Sequence, residues 1–559
     1  MPTSTPTTNH TPPPRKEHSP RRAGGFLGFV ERAGNLLPDP FWLFVILSGV
    51  VVLSSWAGAA AGLSATNPST GEEVHVVNLV SQEGLKKMIT EAVGNFTSFP
   101  PLGLILVVML GVAVAEYSGL IGAAIRGAIG TVSPTMLTFV VALAGVTGSI
   151  ASDAVYVILI PLGATAFKHV GRSPIVGAMV AFAASSAGFN SSLLLNITDV
   201  LLAGISTSAA QLVDPDYVVS PLANYFFVMA SAVVLALTIT AVTEFFVRHK
   251  ARELIDHDEV DYEAASFAAP SRGEQKAARK VSTDAADHGV SVDEQGHVAE
   301  STEQTLSLDN QEKTGLRWVG IASVVLLALY FAAMFVPGSP LQGEGGAVMK
   351  SPLITNIAVA ISFYFFAVGI LYGLITRSIT AAGDVPDFMA QGLKTLIPMM
   401  VLFFAVAQFL AYFNWSNLGV WTAIKGSELL KSADLPNPLL FGLFVLLVAV
   451  LNLVVTSGSA QWALMSPVVV PMMMYVDVQP EVTQMLFRVG DSPTNIITPM
   501  SPYFALALTF LQRYYKKAGV GTLMSLALPY SISMLVAWFL FFLLWYALGI
   551  PLGPGVPVR

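Results

Sequence analysis

The chain has 559 residues, of which 54% are hydrophobic and only 12% are charged, and its mean hydropathy is +0.65. Soluble globular domains carry about 25% charged residues, so this composition excludes that class and indicates a polytopic membrane protein. With no cysteine, the chain has no disulfide, thiolate metal site or cysteine nucleophile, and the formal net charge of −7 with no basic domain gives no sign of a nucleic-acid partner.

The N-terminal segment, residues 1–25, is polar and proline-rich, and we predict a disordered cytoplasmic tail. It is not a signal peptide, because the first apolar run is long enough to span a membrane. Basic residues precede that run at Arg15, Lys16, Arg21, Arg22 and Arg32. The positive-inside rule therefore places the N-terminus in the cytoplasm of a plasma-membrane protein.

Residues 26–247 form a first membrane half. Its expected spans are about Phe41–Leu63, Leu102–Ala115, Ile175–Gly188 and Pro221–Val247. Residues of about 133–167 are apolar but contain a small-residue break at Gly148-Ser149, which predicts a re-entrant helical hairpin.

Residues 248–314 form the largest change in composition, a charged segment of mixed sign that predicts a disordered cytoplasmic linker. A regulatory partner site is the alternative for this segment. The second membrane half follows at 315–549, and residues 550–559 are a short C-terminal tail. The expected spans of the second half are about Leu316–Val336, Ile354–Ile375, Leu396–Tyr412 and Thr522–Leu548, with an interfacial amphipathic helix at Trp415–Leu430 and a second re-entrant hairpin at about 438–475.

The two halves share an order of features. Gly148-Ser149 precedes Pro161 at the same spacing at which Gly458-Ser459 precedes Pro471, and each unit ends in a second polar break. Paired interrupted segments in corresponding positions indicate a transporter whose binding site lies near the middle of the membrane.

Arg488 and Asp491 follow the second hairpin, three residues apart. An ionisable residue in a membrane costs about 2.5–3.5 kcal/mol on insertion scales, so such residues usually face the interior and have a function. The planar fork of Arg488 suits a substrate carboxylate, and Asp491 suits a cation or a proton. Alternatively, the two residues pair with each other at a structural junction.

Asp153 and Asp199 are the acidic residues beside the breaks of the first half. Asp199 follows Asn196 and Thr198, a segment rich in the oxygen ligands that suit sodium. A helix N-cap is the structural alternative for Asp199.

Neutral polar groups flank the same breaks, and Trp462 follows the second one. These groups either satisfy freed backbone atoms or line a site: Asn190, Asn452, Ser459 and Thr494. Trp462 either stacks on an aromatic substrate or belongs to the core. We find no catalytic triad, metal motif or nucleotide loop, so the chain is not expected to be an enzyme or to need a cofactor. An ion channel is a competing interpretation, because re-entrant loops also build selectivity filters.

Three stretches resemble the AbgT-type p-aminobenzoyl-glutamate transporter family. They are SGSAQW from Ser457 to Trp462, the stretch RVGDSPTNIITP from Arg488 to Pro499 with Pro480 before it, and Asn196-Ile-Thr-Asp199 with Asn190 before it. The resemblance implies an all-α fold with about nine transmembrane helices and two re-entrant hairpins in an inverted repeat, divided into a scaffold and a transport core. It also implies a homodimer in the lipid membrane that takes up p-aminobenzoyl-glutamate or exports sulfonamides.

In that family, the positions that match eight residues of this chain are tied to transport. They are Asp199, Asn452, Ser459, Trp462, Pro480, Arg488, Asp491 and Pro499. We therefore expect a secondary active transporter in which Arg488 binds the substrate carboxylate and Trp462 its ring. The coupling ion, sodium or a proton, is expected at Asn452, Asp491 and Asp199, with sodium at Asn452 and Asp491. A sodium–dicarboxylate symporter of similar architecture is the main alternative.

Overall fold

A computed structural model describes residues 38–68, 71–130, 132–151, 154–255, 308–498 and 501–559. The predicted N-terminal tail, most of the predicted linker, Asp153 and Pro499 lie outside these residues. Nearly all of the regular structure in the described ranges is helical. The sheet there is one antiparallel pair, β1 (Ser64–Thr66) and β2 (Glu73–His75).

The helices of the first half are α1 (Pro40–Ala60), α2 (Gln82–Thr90), α3 (Ala92–Thr97), α4 (Pro100–Tyr117), α5 (Leu120–Gly130), α6 (Leu137–Thr147), α7 (Ala154–His169), α8 (Pro174–Ala187), α9 (Ile197–Ala210), α10 (Tyr225–Val242) and α11 (Arg248–Leu254). A π-helical turn, Thr243–Val247, joins α10 to α11.

The helices of the second half are α12 (Asn310–Phe335), α13 (Pro352–Thr355), α14 (Ile357–Thr376), α15 (Asp384–Thr395), α16 (Ile397–Trp415), α17 (Leu418–Ala433), α18 (Asn437–Asn452), α19 (Gly458–Met474), α20 (Pro480–Asp491), α21 (Pro502–Tyr514) and α22 (Val520–Leu548). Short 3-10 turns occur at Glu344–Gly346, Val348–Lys350 and Ser492–Ile497.

Seven helices in the described part of the chain are long and apolar enough to cross a membrane. They are α1, α4, the continuous helix Tyr225–Arg252, α12, α14, α16 and α22. Each coincides with a predicted span. The number of about nine spans stays a prediction, because length and composition identify seven.

Each region predicted as a re-entrant hairpin contains two helices joined by a break. A 3-10 turn, Gly148–Ala151, joins α6 to α7, and residues 453–457 join α18 to α19. In each half the pair is followed by a short buried helix, a second break and another helix, as the repeat predicts. That both pairs enter and leave the membrane on one side stays a prediction.

The predicted linker is too long at both ends. The helix of α10 continues through its π turn to Leu254, so the chain is still helical where the composition becomes charged. At the other end, Asp309 and Glu312 form a reciprocal capping box that begins α12 at Asn310. Such a box satisfies the free N–H groups of the first turn, so the charged residues there extend the helix.

The two halves meet where α9 packs against α19 and α20. On the opposite side of α9, Gly204 allows close contact with α4, because a Cβ there would lie 2.8 Å from Pro101 Cα. The C-terminal tail also packs on the first half, a contact that the sequence analysis did not predict. Phe227 N donates to Leu552 O at 3.1 Å, and Leu552 is fully buried.

Candidate functional site

Helix α20 carries two charged residues of the candidate site, Arg488 and Asp491, although every residue of this helix is buried. Pro480 occupies its first turn, where the missing N–H costs nothing. Arg488 and Asp491 lie toward the other end, about 12 Å and about 16 Å from Pro480 along the helix axis. Pro480 therefore defines where the helix starts and lies far from Arg488 and Asp491.

Arg488 pairs with Asp199 of the first half, and not with Asp491 as its spacing had suggested. The distance from Arg488 Nη1 to Asp199 Oδ1 is 2.5 Å, and the two side chains are 1% and 4% exposed. The same nitrogen lies 3.4 Å from the carbonyl oxygen of Asn190. A buried charge is tolerated when it is paired, so Arg488 and Asp199 compensate each other's charge.

Asp199 is also part of the start of α9. Its Oδ2 accepts from Asn196 N at 2.8 Å, while Asn196 Oδ1 accepts from Asp199 N at 3.0 Å. Asn196 is thus the N-cap residue, and Asp199 is the acidic residue of its capping box. The cap and the ion pair coexist because they use different oxygens of one carboxylate.

A second polar cluster surrounds Asn452, at the end of α18. Its Nδ2 lies 2.7 Å from Asp491 O, 2.8 Å from Thr494 Oγ1 and 3.1 Å from Asn495 Oδ1. Asn190 joins this cluster from the first half, since its Nδ2 donates to Asp491 Oδ2 at 2.9 Å. The helix end, the 3-10 turn and the break after α8 thereby meet at Asp491.

Three side-chain oxygens of this cluster are buried and lack a hydrogen-bond partner in the described part of the chain: Oδ1 of Asn190, Oδ1 of Asn452 and Oδ1 of Asp491. Buried polar atoms are nearly always hydrogen-bonded, so three such acceptors around one carboxylate need an explanation. Carboxylate and amide oxygens are what a small hard cation prefers. The described residues contain no group of three acidic or histidine side chains that could hold a metal ion, so the cluster has one carboxylate and otherwise neutral oxygens.

The break between α18 and α19 lies directly against Asp491. A Cβ on Gly458 would be 2.9 Å from Asp491 Oδ2, so any larger residue at this position would require the carboxylate or the break to shift. Ser457 caps α19, and its hydroxyl lies 3.3 Å from that of Ser459. Ser459 is therefore held at the break, one residue from the contact with Asp491.

Trp462 is fully buried, one turn into α19. Its ring packs on Phe487 with centroids 4.6 Å apart and a tilt of 33°, and its Nε1 donates to Ser206 Oγ at 3.0 Å. In this conformation the indole is covered by protein, so the protein has to rearrange before a substrate can reach the ring.

At the far end of α20, Tyr217 donates to Glu481 Oε2 at 2.9 Å from the loop between α9 and α10. Burial, and then the negative charge of Glu481, raise the pKa of Tyr217, so the phenol keeps its proton and remains a donor.

The structure thus brings together most of the predicted site residues: Asn190, Asp199, Asn452, Arg488, Asp491 and Thr494, with Ser459 and Trp462 beside them. Sequence reasoning missed Asn495, Ser206 and Gln484. The last could have been found, because Glu481, Gln484, Arg488 and Asp491 recur at helical spacing along one face of α20.

These features define a multi-pass membrane protein with a charged site buried between two similar halves. The AbgT transporter family model matches residues 25–282 and 290–559, and the chain belongs to that family. It is therefore a transporter and not an enzyme.

Named relatives agree with this assignment. The chain is 35% identical to the p-aminobenzoyl-glutamate transport protein of Escherichia coli K12 over 543 residues, which cover 97% of this chain and 98% of that protein. The structure of the YdaH transporter of Alcanivorax borkumensis, described as having an unusual topology, matches with a TM-score of 0.80 at 35% identity, over 92% of this chain and all of that one. MtrF of Neisseria gonorrhoeae, described as illuminating a class of antimetabolite efflux pumps, matches with a TM-score of 0.80 at 39% identity, over 95% of this chain and all of that one.

Proposed function

We propose that the chain is a secondary active transporter of p-aminobenzoyl-glutamate or of related aryl-amine antimetabolites such as sulfonamides, driven by an ion gradient. The observation that carries the proposal is the buried Arg488–Asp199 pair beside the cluster at Asp491, formed by both halves. Buried ionisable residues in membrane proteins mark substrate and ion pathways. The descriptions of the E. coli and N. gonorrhoeae relatives supply the substrate class.

In this proposal Arg488 binds the substrate carboxylate. Its guanidinium is already matched to a carboxylate, that of Asp199, so an incoming substrate would exchange one carboxylate for another. Trp462 would receive the aromatic ring after leaving Phe487. Ser459 and Asn452 would contact the substrate near the break, and Pro480 and Pro499 would shape the ends of the binding region.

The coupling ion would bind at Asp491. The three unpartnered oxygens of Asn190, Asn452 and Asp491 suit sodium, with Thr494 beside them. Asp199 would take part through its exchange with the substrate at Arg488. A proton on Asp491 is the alternative, because a single buried carboxylate serves either ion.

The predicted arrangement in the membrane completes the proposal. The pairs α6–α7 and α18–α19 would be re-entrant hairpins of a transport core, held by a scaffold in a homodimer. The N-terminus and the segment between the halves would lie in the cytoplasm, next to the plasma membrane. The basic residues before α1 and after α10 support this orientation.

The test is transport of radiolabelled p-aminobenzoyl-glutamate by proteoliposomes under an imposed sodium gradient or an imposed proton gradient. We expect accumulation under one gradient only, and loss of accumulation in Arg488→Ala. Movement of a sulfonamide alone would reassign the substrate to drug export. Movement of succinate alone would favour the dicarboxylate symporter, and unitary currents without substrate would favour a channel.

A further inference from the structure

Three buried side chains form a hydrogen-bonded relay next to the ion pair. Trp462 Nε1 donates to Ser206 Oγ at 3.0 Å, and Ser206 Oγ donates to Gln484 Oε1 at 2.7 Å. Each of the three is at most 1% exposed. The relay joins α19, α9 and α20, and therefore crosses between the two halves.

The chemistry of the three groups explains the relay. An indole has one N–H donor and no acceptor, so a buried tryptophan needs an acceptor nearby. A serine hydroxyl both accepts and donates, and it can therefore link the indole to an amide oxygen. Ser206 therefore gives each of its two neighbours a hydrogen-bond partner.

The relay also fixes the position of the Trp462 ring. One face of the ring packs on Phe487, and its polar edge is held by Ser206. Because Trp462 is 0% exposed, a substrate ring can reach it only if the indole moves away from this position. Such a movement breaks the bond to Ser206.

We infer that Ser206 and Gln484 are positioning residues that hold Trp462 in a closed position, and that the relay breaks when an aromatic substrate binds. This inference rests on the proposed function of Trp462 as the ring-binding residue. In the closed position the aromatic subsite is inaccessible. The free energy needed to open it lowers the apparent affinity for the substrate.

The inference predicts that one substitution, Ser206→Ala, strengthens substrate binding instead of weakening it. Ser206→Ala leaves the Trp462 N–H and the Gln484 oxygen without a partner in the closed state only, since both reach water or ligand in the open state. The competent population rises, and p-aminobenzoyl-glutamate should bind roughly tenfold more tightly, the equivalent of one buried hydrogen bond. A purely structural role predicts unchanged or weaker binding.

The chain offers a matched control. Trp538 Nε1 donates to Ser231 Oγ at 2.8 Å between α22 and α10, and both side chains are fully buried. Ser231→Ala removes the same kind of bond outside the relay and should leave the affinity unchanged. Ser206→Thr keeps a hydroxyl and should bind as the parent does.

Two measurements on the full chain test the inference. The first is equilibrium binding of radiolabelled p-aminobenzoyl-glutamate to the parent, Ser206→Ala, Ser206→Thr and Ser231→Ala. The second is the rate at which N-ethylmaleimide labels Ala463→Cys, the sole thiol of the chain, with and without Ser206→Ala. Ala463 is 2% exposed and lies beside Trp462. We expect labelling to accelerate severalfold when the relay is broken.

The outcomes separate the two proposals. If the parent does not bind the ligand but labelling accelerates, the substrate assignment fails and the relay stands. If the parent binds and Ser206→Ala binds equally or more weakly, or if labelling does not change, the inference is overturned.

Discussion

Arg488 and Asp199 form a buried ion pair at 2.5 Å between residues that are 289 positions apart in the sequence. The pair joins α20 to the first turn of α9, where the capping box orients the carboxylate. A single contact, from Arg488 Nη1 to Asp199 Oδ1, holds the pair together and connects the two halves. In the proposed function, a substrate carboxylate takes the place of Asp199 at this contact.

Removing one partner of this pair should be more harmful than removing both. Asp199→Leu or Arg488→Met leaves an uncompensated buried charge, and we expect about 3–5 kcal/mol of lost stability. The double variant should recover most of that stability but no transport. Thermal unfolding of the purified protein and uptake by proteoliposomes measure the two effects.

The pair between Lys425 and Glu428 is the control for this prediction, because its side chains are 44% and 54% exposed. Lys425→Met should cost only about 1 kcal/mol or less. A double variant at 199 and 488 that remained as unstable as the single ones would contradict the explanation.

Sodium should stabilise the folded protein through the cluster at Asp491. A ligand at a hundred times its dissociation constant stabilises by about 2.7 kcal/mol, so the melting temperature should rise with sodium but not with choline. Asp491→Asn should abolish this rise, because it removes the only formal charge among the three unpartnered oxygens. A parent protein that melts identically in both salts would assign the coupling to protons.

Gly458→Ala should abolish transport. The new Cβ would lie 2.9 Å from Asp491 Oδ2 and 3.3 Å from Oδ1, so the break or the carboxylate has to move. Gly320→Ala is the control, since its Cβ would meet nothing within 4 Å. The measurement is uptake by both variants at equal amounts of folded protein. Normal uptake by Gly458→Ala would contradict the close contact between the break and Asp491.

Glu244→Gln should slow transport without changing KM. Arg172 bonds to Glu244 Oε1 at 2.5 Å and to Thr138 Oγ1 at 2.8 Å, which ties the base of the α6–α7 pair to the π-helical turn. None of these three residues contacts the candidate site. Weakening the contact between the α6–α7 pair and the π-helical turn should therefore lower the maximal transport rate and leave KM unchanged. Initial rates over a range of substrate concentrations separate the two parameters.

Arg248→Ala is the matched variant for that experiment. Arg248 lies 3.6 Å from Glu244, and its side chain is 49% exposed, so the loss should be small. A raised KM in Glu244→Gln would mean that this cluster acts on the substrate site.

Local patterns in the sequence predicted most of the helices. The long apolar runs gave α1, α4, α14 and α22 within a few residues, because hydropathy and length are properties of one segment. The paired breaks at Gly148 and Gly458 were visible for the same reason.

The partner of Arg488 could not be predicted in this way. A spacing of three residues offered only Asp491 as a partner, since neighbours on a helix are the contacts that a local pattern supplies. Packing α9 on α20 brings Asp199 closer to the guanidinium, and nothing near either residue encodes that approach. The relay through Ser206 was missed for the same reason. A serine within an apolar helix gives no local sign of a partner on another helix.

The packing of Leu552 and its neighbours on the segment before α10 has a consequence for biosynthesis. A Cβ on Gly553 would lie 2.1 Å from Leu222 O, so this part of the C-terminal tail fits tightly against residues translated far earlier. The charge of Asp199 is likewise compensated only once Arg488 of the second half is present. These contacts of the N-terminal half can therefore form only after the C-terminal end of the chain has been synthesised.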